Sequence, residues 1–139
     1  MRGERKGLPL VRGFWKAGPA ADAVGPVTVS LTDFRVDRFR DLPAIAIDAL
    51  RIRHGWGRRE GSVGLSLWVQ PLRRRLGSVS AWRGEGDLSR WLGSGEHRRV
   101  VRKYGTRMHN VSSATWIADR FVLSEAWDEV ARRRAAARG

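Results

Sequence analysis

Hydrophobic and polar positions first fall into step at Val27-Thr28-Val29-Ser30-Leu31-Thr32, where apolar and small hydroxyl residues alternate with the period of two that a half-buried strand requires. Asp33 to Arg40 leads out of it. The period then changes: Leu42, Ile45, Ala46, Ala49, Leu50 and Arg53 recur at three and four residues, and Pro43 suits a first helical turn. This predicts a helix ending at Arg53, before Gly55 and Gly57. Alternation returns at Val63–Val69 and at Leu76–Trp82, with Pro71 and three arginines between them, which reads as two strands joined by a basic hairpin tip. Asp87 is a candidate N-cap for a turn of helix carrying Leu88, Trp91 and Leu92. Ser94 caps a second piece, in which His97, Val100, Val101 and Tyr104 share a face and Gly105 supplies the stop. Val111–Ala118 is a fourth strand, and a short helix with Leu123, Trp127 and Val130 follows.

The order strand, helix, strand, strand, helix, strand is that of an α+β, ferredoxin-like split βαβ unit, a four-stranded antiparallel sheet with both helices on one face. Its other face is then bare. Alternation gives Val27, Val29, Leu31, Val63, Leu65 and Leu67 to one face and Thr28, Ser30, Thr32, Gly64, Ser66 and Trp68 to the other, so that Trp68 and Trp116 sit among small polar residues. An uncovered sheet face of this kind calls for a partner, and pairing with a second copy, as a homodimer in a dimeric α/β barrel, supplies one. The organisation expected is an irregular basic arm over residues 1–25, one domain over 26–130 and a basic tail over 131–139.

Composition changes this picture in two places. The 139 residues include no cysteine, which excludes disulfides and thiolate metal sites and fits a reducing, cytoplasmic setting. Apolar runs are too short for a signal-peptide core or a membrane span, so no membrane partner is expected. The net charge of +13 raises a nucleic-acid reading, but residues 1–16 and 131–139 hold +8 of it, and arginine outnumbers lysine 24 to 3, as a GC-rich coding sequence alone would produce. Nucleic-acid affinity is accordingly expected only as a non-specific property of the basic tails.

Over Gly61–Ala118 the chain resembles the antibiotic-biosynthesis monooxygenases and related dimeric α/β barrel proteins. The resemblance is carried by Val79-Ser80-Ala81-Trp82, Leu88, Trp91-Leu92, Ser94-Gly95-Glu96-His97 and Ala114-Thr115-Trp116. The strand Val29-Ser30-Leu31-Thr32-Asp33-Phe34 is similar to the first strand of the spheroidene-monooxygenase-like branch. The resemblance implies the fold, a homodimer, and monooxygenase-like chemistry on an apolar small molecule. A haem-degrading branch of the family places a histidine ten residues after the tryptophan of its Trp-Leu pair, as iron ligand, and an asparagine on the first strand. Here the iron-ligand position is Val101, and the first strand offers Ser30 and Thr32.

His97 is the candidate catalytic residue, since a neutral imidazole on an apolar helix face can relay a proton or bind iron; the plainer alternative is a histidine that closes the helix start. Trp68, Trp82 and Trp116, at the ends of three strands, with Trp91, Tyr104 and His109, are candidates for an aromatic pocket around a flat apolar aromatic or polyene ligand, core and interface packing being the alternative. No nucleotide- or phosphate-binding loop and no paired-histidine metal motif occurs, so no residue is assigned to a cofactor or a metal. Three functions remain open: a monooxygenase-like enzyme of a biosynthetic pathway with His97 as base, a non-catalytic ligand- or partner-binding protein, and a nucleic-acid-binding protein, which a ferredoxin-like sheet with aromatics also suits.

Overall fold

In the computed structural model, which describes residues 10–138, two short strands, β1 (Val11–Arg12) and β2 (Lys16–Ala17), lead into β3 (Val27–Val36). The chain continues as α1 (Asp41–His54), β4 (Ser62–Gln70), β5 (Arg75–Trp82), α2 (Glu85–Leu92), α3 (Gly95–Tyr104), β6 (Met108–Ala118) and α4 (Leu123–Arg138). The long strands lie in the order β4-β5-β3-β6, all antiparallel, and β1 and β2 both pair with β4. This is the ferredoxin-like arrangement expected from the sequence. The split of the second helix into α2 and α3 also follows the pattern, since the Ser94 hydroxyl accepts a hydrogen bond from the His97 amide at 3.2 Å and starts α3 afresh.

Strand β3 outruns its pattern, and the N-terminal segment adds two strands that had none. β3 continues through Asp33 because that carboxylate, 6% exposed, is matched by arginines, so a charged residue does not end the strand. The expected irregular arm contributes β1 and β2 instead, and Trp15 stacks on Phe121 with ring centroids 4.7 Å apart while Phe14 stays in solvent. Gly64 makes that docking feasible, because a Cβ there would meet the Trp15 ring at 2.2 Å. The part of the arm before Leu10 lies outside the described residues.

The two faces of the sheet are not the ones read from alternation alone. Register sets Ser30 beside Ser80 and Ser80 beside Leu65, and sets Leu31 beside Val79 and Val79 beside Ser66. The hydroxyls of β3 therefore share a face with Leu65 and Leu67, and the aliphatics of β3 share the other with Trp68. An irregularity between Ser62 and Gly64 also breaks the parity of β4, so that Val63 packs with the second set and Leu65 with the first.

The first face packs on α1, α2 and α3. The second, expected bare, is covered by this chain itself. Val27, Val29, Leu31, Val79 and Ala81, none more than 4% exposed, form one core with Trp127 and Val130 of α4, with Leu10, Trp15, Ala20 and Ala23 packed at its margin. Each such aliphatic side chain contributes about 1.5–3 kcal/mol by leaving water. Past Val130 the expected basic tail is helix. Its Arg134, 8% exposed, donates from Nε to Asp33 at 2.9 Å and from Nη2 to Gln70 at 2.9 Å, and its guanidinium lies 4.4 Å over the Trp68 ring. Arg75 closes the other side of Asp33 at 2.8 Å. In the single chain this face is therefore covered by α4 and by side chains of the N-terminal segment, not left bare.

Candidate functional site

Between the first sheet face and α1, α2 and α3 lies a cavity of about 500 Å³. Its floor is made by the register just described. Ser113, Thr32, Ser78 and Leu67 form one rung across β6, β3, β5 and β4, and Thr115, Ser30, Ser80 and Leu65 form the next. Ser30, Thr32, Ser78, Ser80 and Ser113 all border the cavity, so hydroxyls run along the centre of the floor and aliphatics along one margin. The walls are apolar: Ile45, Ala49 and Ile52 from α1, Leu88, Trp91 and Leu92 from α2, and Val100, Val101 and Tyr104 from α3.

One end is aromatic. Trp56, on a short turn of helix after α1, is 1% exposed and meets Trp82 and Trp91 edge-on at 5.4 Å and 5.0 Å. Its indole N–H donates to Ser62, and that of Trp82 donates to Ser80 at 2.9 Å, so the polar edges of both rings are satisfied; Trp56 and Trp91 line this end of the cavity and Trp82 backs them. Arg59 lies over Trp91 at 4.3 Å and pairs with Glu96, tying the turn after α1 to the start of α3.

The opposite end is closed by Tyr104, whose ring borders the cavity and whose hydroxyl points away from it, donating to Asp48 with the Ala44 carbonyl 3.1 Å distant. Lys103 also donates to Asp48, at 2.8 Å. These two hydrogen bonds, Lys103 first, hold the Asp48 carboxyl below its ordinary range against the cost of burial. Burial and the carboxylate together push the Tyr104 phenol up, so it stays protonated and serves as a brace between α1 and α3.

His97 lies in the first turn of α3 and borders the cavity, its ring edge against Trp91 at 5.3 Å. Its Nδ1 is 3.1 Å from the Leu92 carbonyl. A carbonyl only accepts, so Nδ1 carries the hydrogen and the lone pair of a neutral ring is on Nε2. Burial moves the His97 pKa below its ordinary value, opposed by that same hydrogen bond, and the imidazole is neutral near pH 7.

Of the aromatic residues singled out in the sequence, Trp91 and Tyr104 border this cavity, and Trp82 stands directly behind it against Trp56. Trp68 and Trp116 do not. They lie on the second face, under Arg134 and Arg133, because the register turns Trp68 and Trp116 to the side of Val29 and Leu31. His109 is at the surface, its Nε2 2.6 Å from Asp37. Trp56, Asp48 and the floor hydroxyls were not anticipated. Asp48 had a signal, since it stands at helical spacing between Ile45 and Ile52 on the buried face of α1. Trp56, between two glycines, had none.

No protein-family model matches the sequence, and no curated protein does. Solved structures do match. A conserved protein from Methanosarcina mazei Go1 superposes with a TM-score of 0.56 at 10% identity, covering 68% of this chain and 93% of that one. An antibiotic biosynthesis monooxygenase superposes at 0.55 and 8% identity, covering 68% and 99%. This chain shares its ferredoxin-like fold with antibiotic biosynthesis monooxygenase structures. LmHde, the haem-degrading enzyme of Listeria monocytogenes, matches it at 0.51 and 14% identity over 63% of this chain and 59% of its own. At these identities the likeness is one of fold alone.

The positions that carry the haem contacts in the haem-degrading branch hold other residue types here. Val101 borders the cavity with methyl groups only where an iron ligand would be expected, and the first strand offers hydroxyls in place of an amide. That ligand arrangement is not reproduced; the nitrogen donor that borders this cavity is His97, six residues after Trp91.

Proposed function

We propose that the cavity binds a flat, apolar aromatic or polyene molecule with a polar group directed at the floor hydroxyls, and that the protein is a monooxygenase-like enzyme acting on it. The observation that carries this reading is His97: a neutral imidazole with Nδ1 committed to Leu92 and Nε2 left to accept a proton, at the wall of an apolar cavity. A ligand that loses an activated C–H or O–H proton to Nε2 becomes electron-rich enough to reduce dioxygen. A methylene oxidised to a carbonyl takes up one O2 and releases one water, which balances without a cofactor. The apolar walls keep water from the anion. A second copy, where one joins, uses a surface other than the α4-covered face.

A non-catalytic ligand-binding protein is the second reading. It is favoured by the two structural bonds His97 already makes, through its amide to Ser94 and its ring to Leu92. The nucleic-acid reading loses ground because Arg134 of the C-terminal cluster is buried on Asp33, and Arg132 and Arg133 share Glu129, so less of that charge is free than the sequence suggests.

Trp56 and Trp91 make the cavity its own reporter. Titration with polycyclic phenols and polyenes is expected to quench tryptophan fluorescence, and an oxygen electrode with the ligand that binds best is expected to register uptake. His97→Gln should keep the quenching and lower uptake about 100-fold or more. Quenching with no uptake by the unaltered protein across the panel would favour the second reading, and full uptake by the variant would remove His97 from the mechanism.

A further inference from the structure

The cavity opens on one side, between the free flank of α3 and the strand β6, and that opening has a distinctive rim. Three residues that border the cavity are also exposed there: Leu92 by 47%, Val101 by 44% and Val111 by 58%. Ile117, on the same face of β6 further along, is 71% exposed. Helical geometry settles what flanks Val101. At 100° per residue His97 and Tyr104 look into the cavity, Val100 and Lys103 lie toward α1, where Lys103 meets Asp48, and Arg98 and Arg102 follow Val101 on the opposite, open flank. The acids nearby are taken, Glu96 by Arg59 and Asp48 by Lys103 and Arg51. Among the described residues, Arg98 and Arg102 are exposed and without an acidic partner, while Asp119 and Arg120 at the end of β6 offset each other.

We propose that this rim is a docking surface for an anionic lipid bilayer, from which the apolar ligand enters the cavity without crossing water. This rests on the reading of the cavity as an apolar-ligand site. An aliphatic lip backed by unpaired arginines is the chemistry of interfacial binding, in which apolar side chains enter the acyl boundary and guanidinium groups meet headgroup phosphates. A second copy of the chain does not fit, since it would set the same arginines against each other on molecules of net charge +13. A nucleic acid finds no aromatic platform on this rim.

Co-sedimentation of the full chain with vesicles of phosphatidylcholine alone, and of phosphatidylcholine mixed with phosphatidylglycerol, tests it. Binding is expected only to the mixed vesicles. At about 1 kcal/mol per arginine near an anionic surface, Arg98→Gln with Arg102→Gln should lower partitioning about 30-fold. Val101→Gln with Val111→Gln should lower it as well, and should also remove the binding that persists at high salt. Ile47→Gln with Leu50→Gln, two residues 52% and 57% exposed on the outer side of α1, should change nothing. Melting curves for each variant exclude misfolding. Absence of binding to mixed vesicles, equal losses in the α1 control, or retention of RNA rather than vesicles by the Arg98 and Arg102 sites would each overturn the proposal. Fluorescence quenching by a soluble aromatic ligand is read separately, so failure at the rim and failure of the cavity are distinguished.

Discussion

His97 is held by two bonds that have different consequences. The Ser94 cap fixes where α3 begins, and the Leu92 carbonyl fixes which ring nitrogen carries the hydrogen. Because burial lowers its pKa, the base form fills before the pH reaches the ordinary value of 6.5, and turnover should rise with pH and be half-maximal below that value. The same shift costs stability in acid: an unfolded histidine takes up its proton first, so the contribution of neutral His97 is lost as pH falls from about 6.5 toward the lowered value. Tyr104 and Asp48 behave differently. The stability from Asp48 is present above its ordinary value of 3.8 and is lost as pH falls through the lowered one. Tyr104→Phe removes one of the three side-chain donors to Asp48, costs about 1.5 kcal/mol, and should move the midpoint of acid unfolding, followed by tryptophan fluorescence, to higher pH. An unchanged midpoint would show that Lys103 and Arg51 set the carboxyl without the phenol. Of these residues His97 and Tyr104 were legible in the sequence, because a spacing of three, four and seven residues fixes a helix face regardless of what it packs against. Trp68 and Trp116 were not, since strand parity says only that neighbours face opposite ways. Which side each strand turns to is settled by register.

At the scale of elements, α4 departs furthest from expectation. Its first half carries Trp127 and Val130 at a legible spacing, but Arg132-Arg133-Arg134 reads as solvated tail, and only the buried Asp33, nearly the whole chain away, gives Arg134 a partner. Arg134→Met retains length and removes charge. It leaves Asp33 with Arg75 alone and strips Gln70 of its donor, and it should cost about 3 kcal/mol, the low end for a broken buried pair because one arginine remains. Urea unfolding measures this directly. A loss below about 1 kcal/mol would mean that packing on Trp68, which methionine preserves in part, is what Arg134 supplies.

Across the whole molecule, the alternation of four strands and the periods of the helices were enough for the ferredoxin-like unit and its topology. The dimer expected on its second face came from counting layers, and that count did not include α4, which the chain lays on this face itself. With β3 and β5 sealed beneath α4, amide exchange in these strands should be slow at any protein concentration, and light scattering at the dilution where exchange is measured should give 15.7 kDa or a dimer with the same protection. Protection of β3 and β5 that rises with concentration would mean that a second copy displaces α4.

The bond between Arg134 and Asp33 closes a loop of 101 residues. During synthesis β3 has left the ribosome long before the helix that covers it, so a wide aliphatic sheet surface stands open until residues 123–138 emerge. The nascent protein therefore passes through a stage in which it resembles half of a face-to-face pair, and two neighbouring nascent chains on one message would present matching sticky surfaces. The late arrival of α4 makes it a guard against that encounter, and a chain stalled before Leu123 is the form most exposed to aggregation or to capture by chaperones.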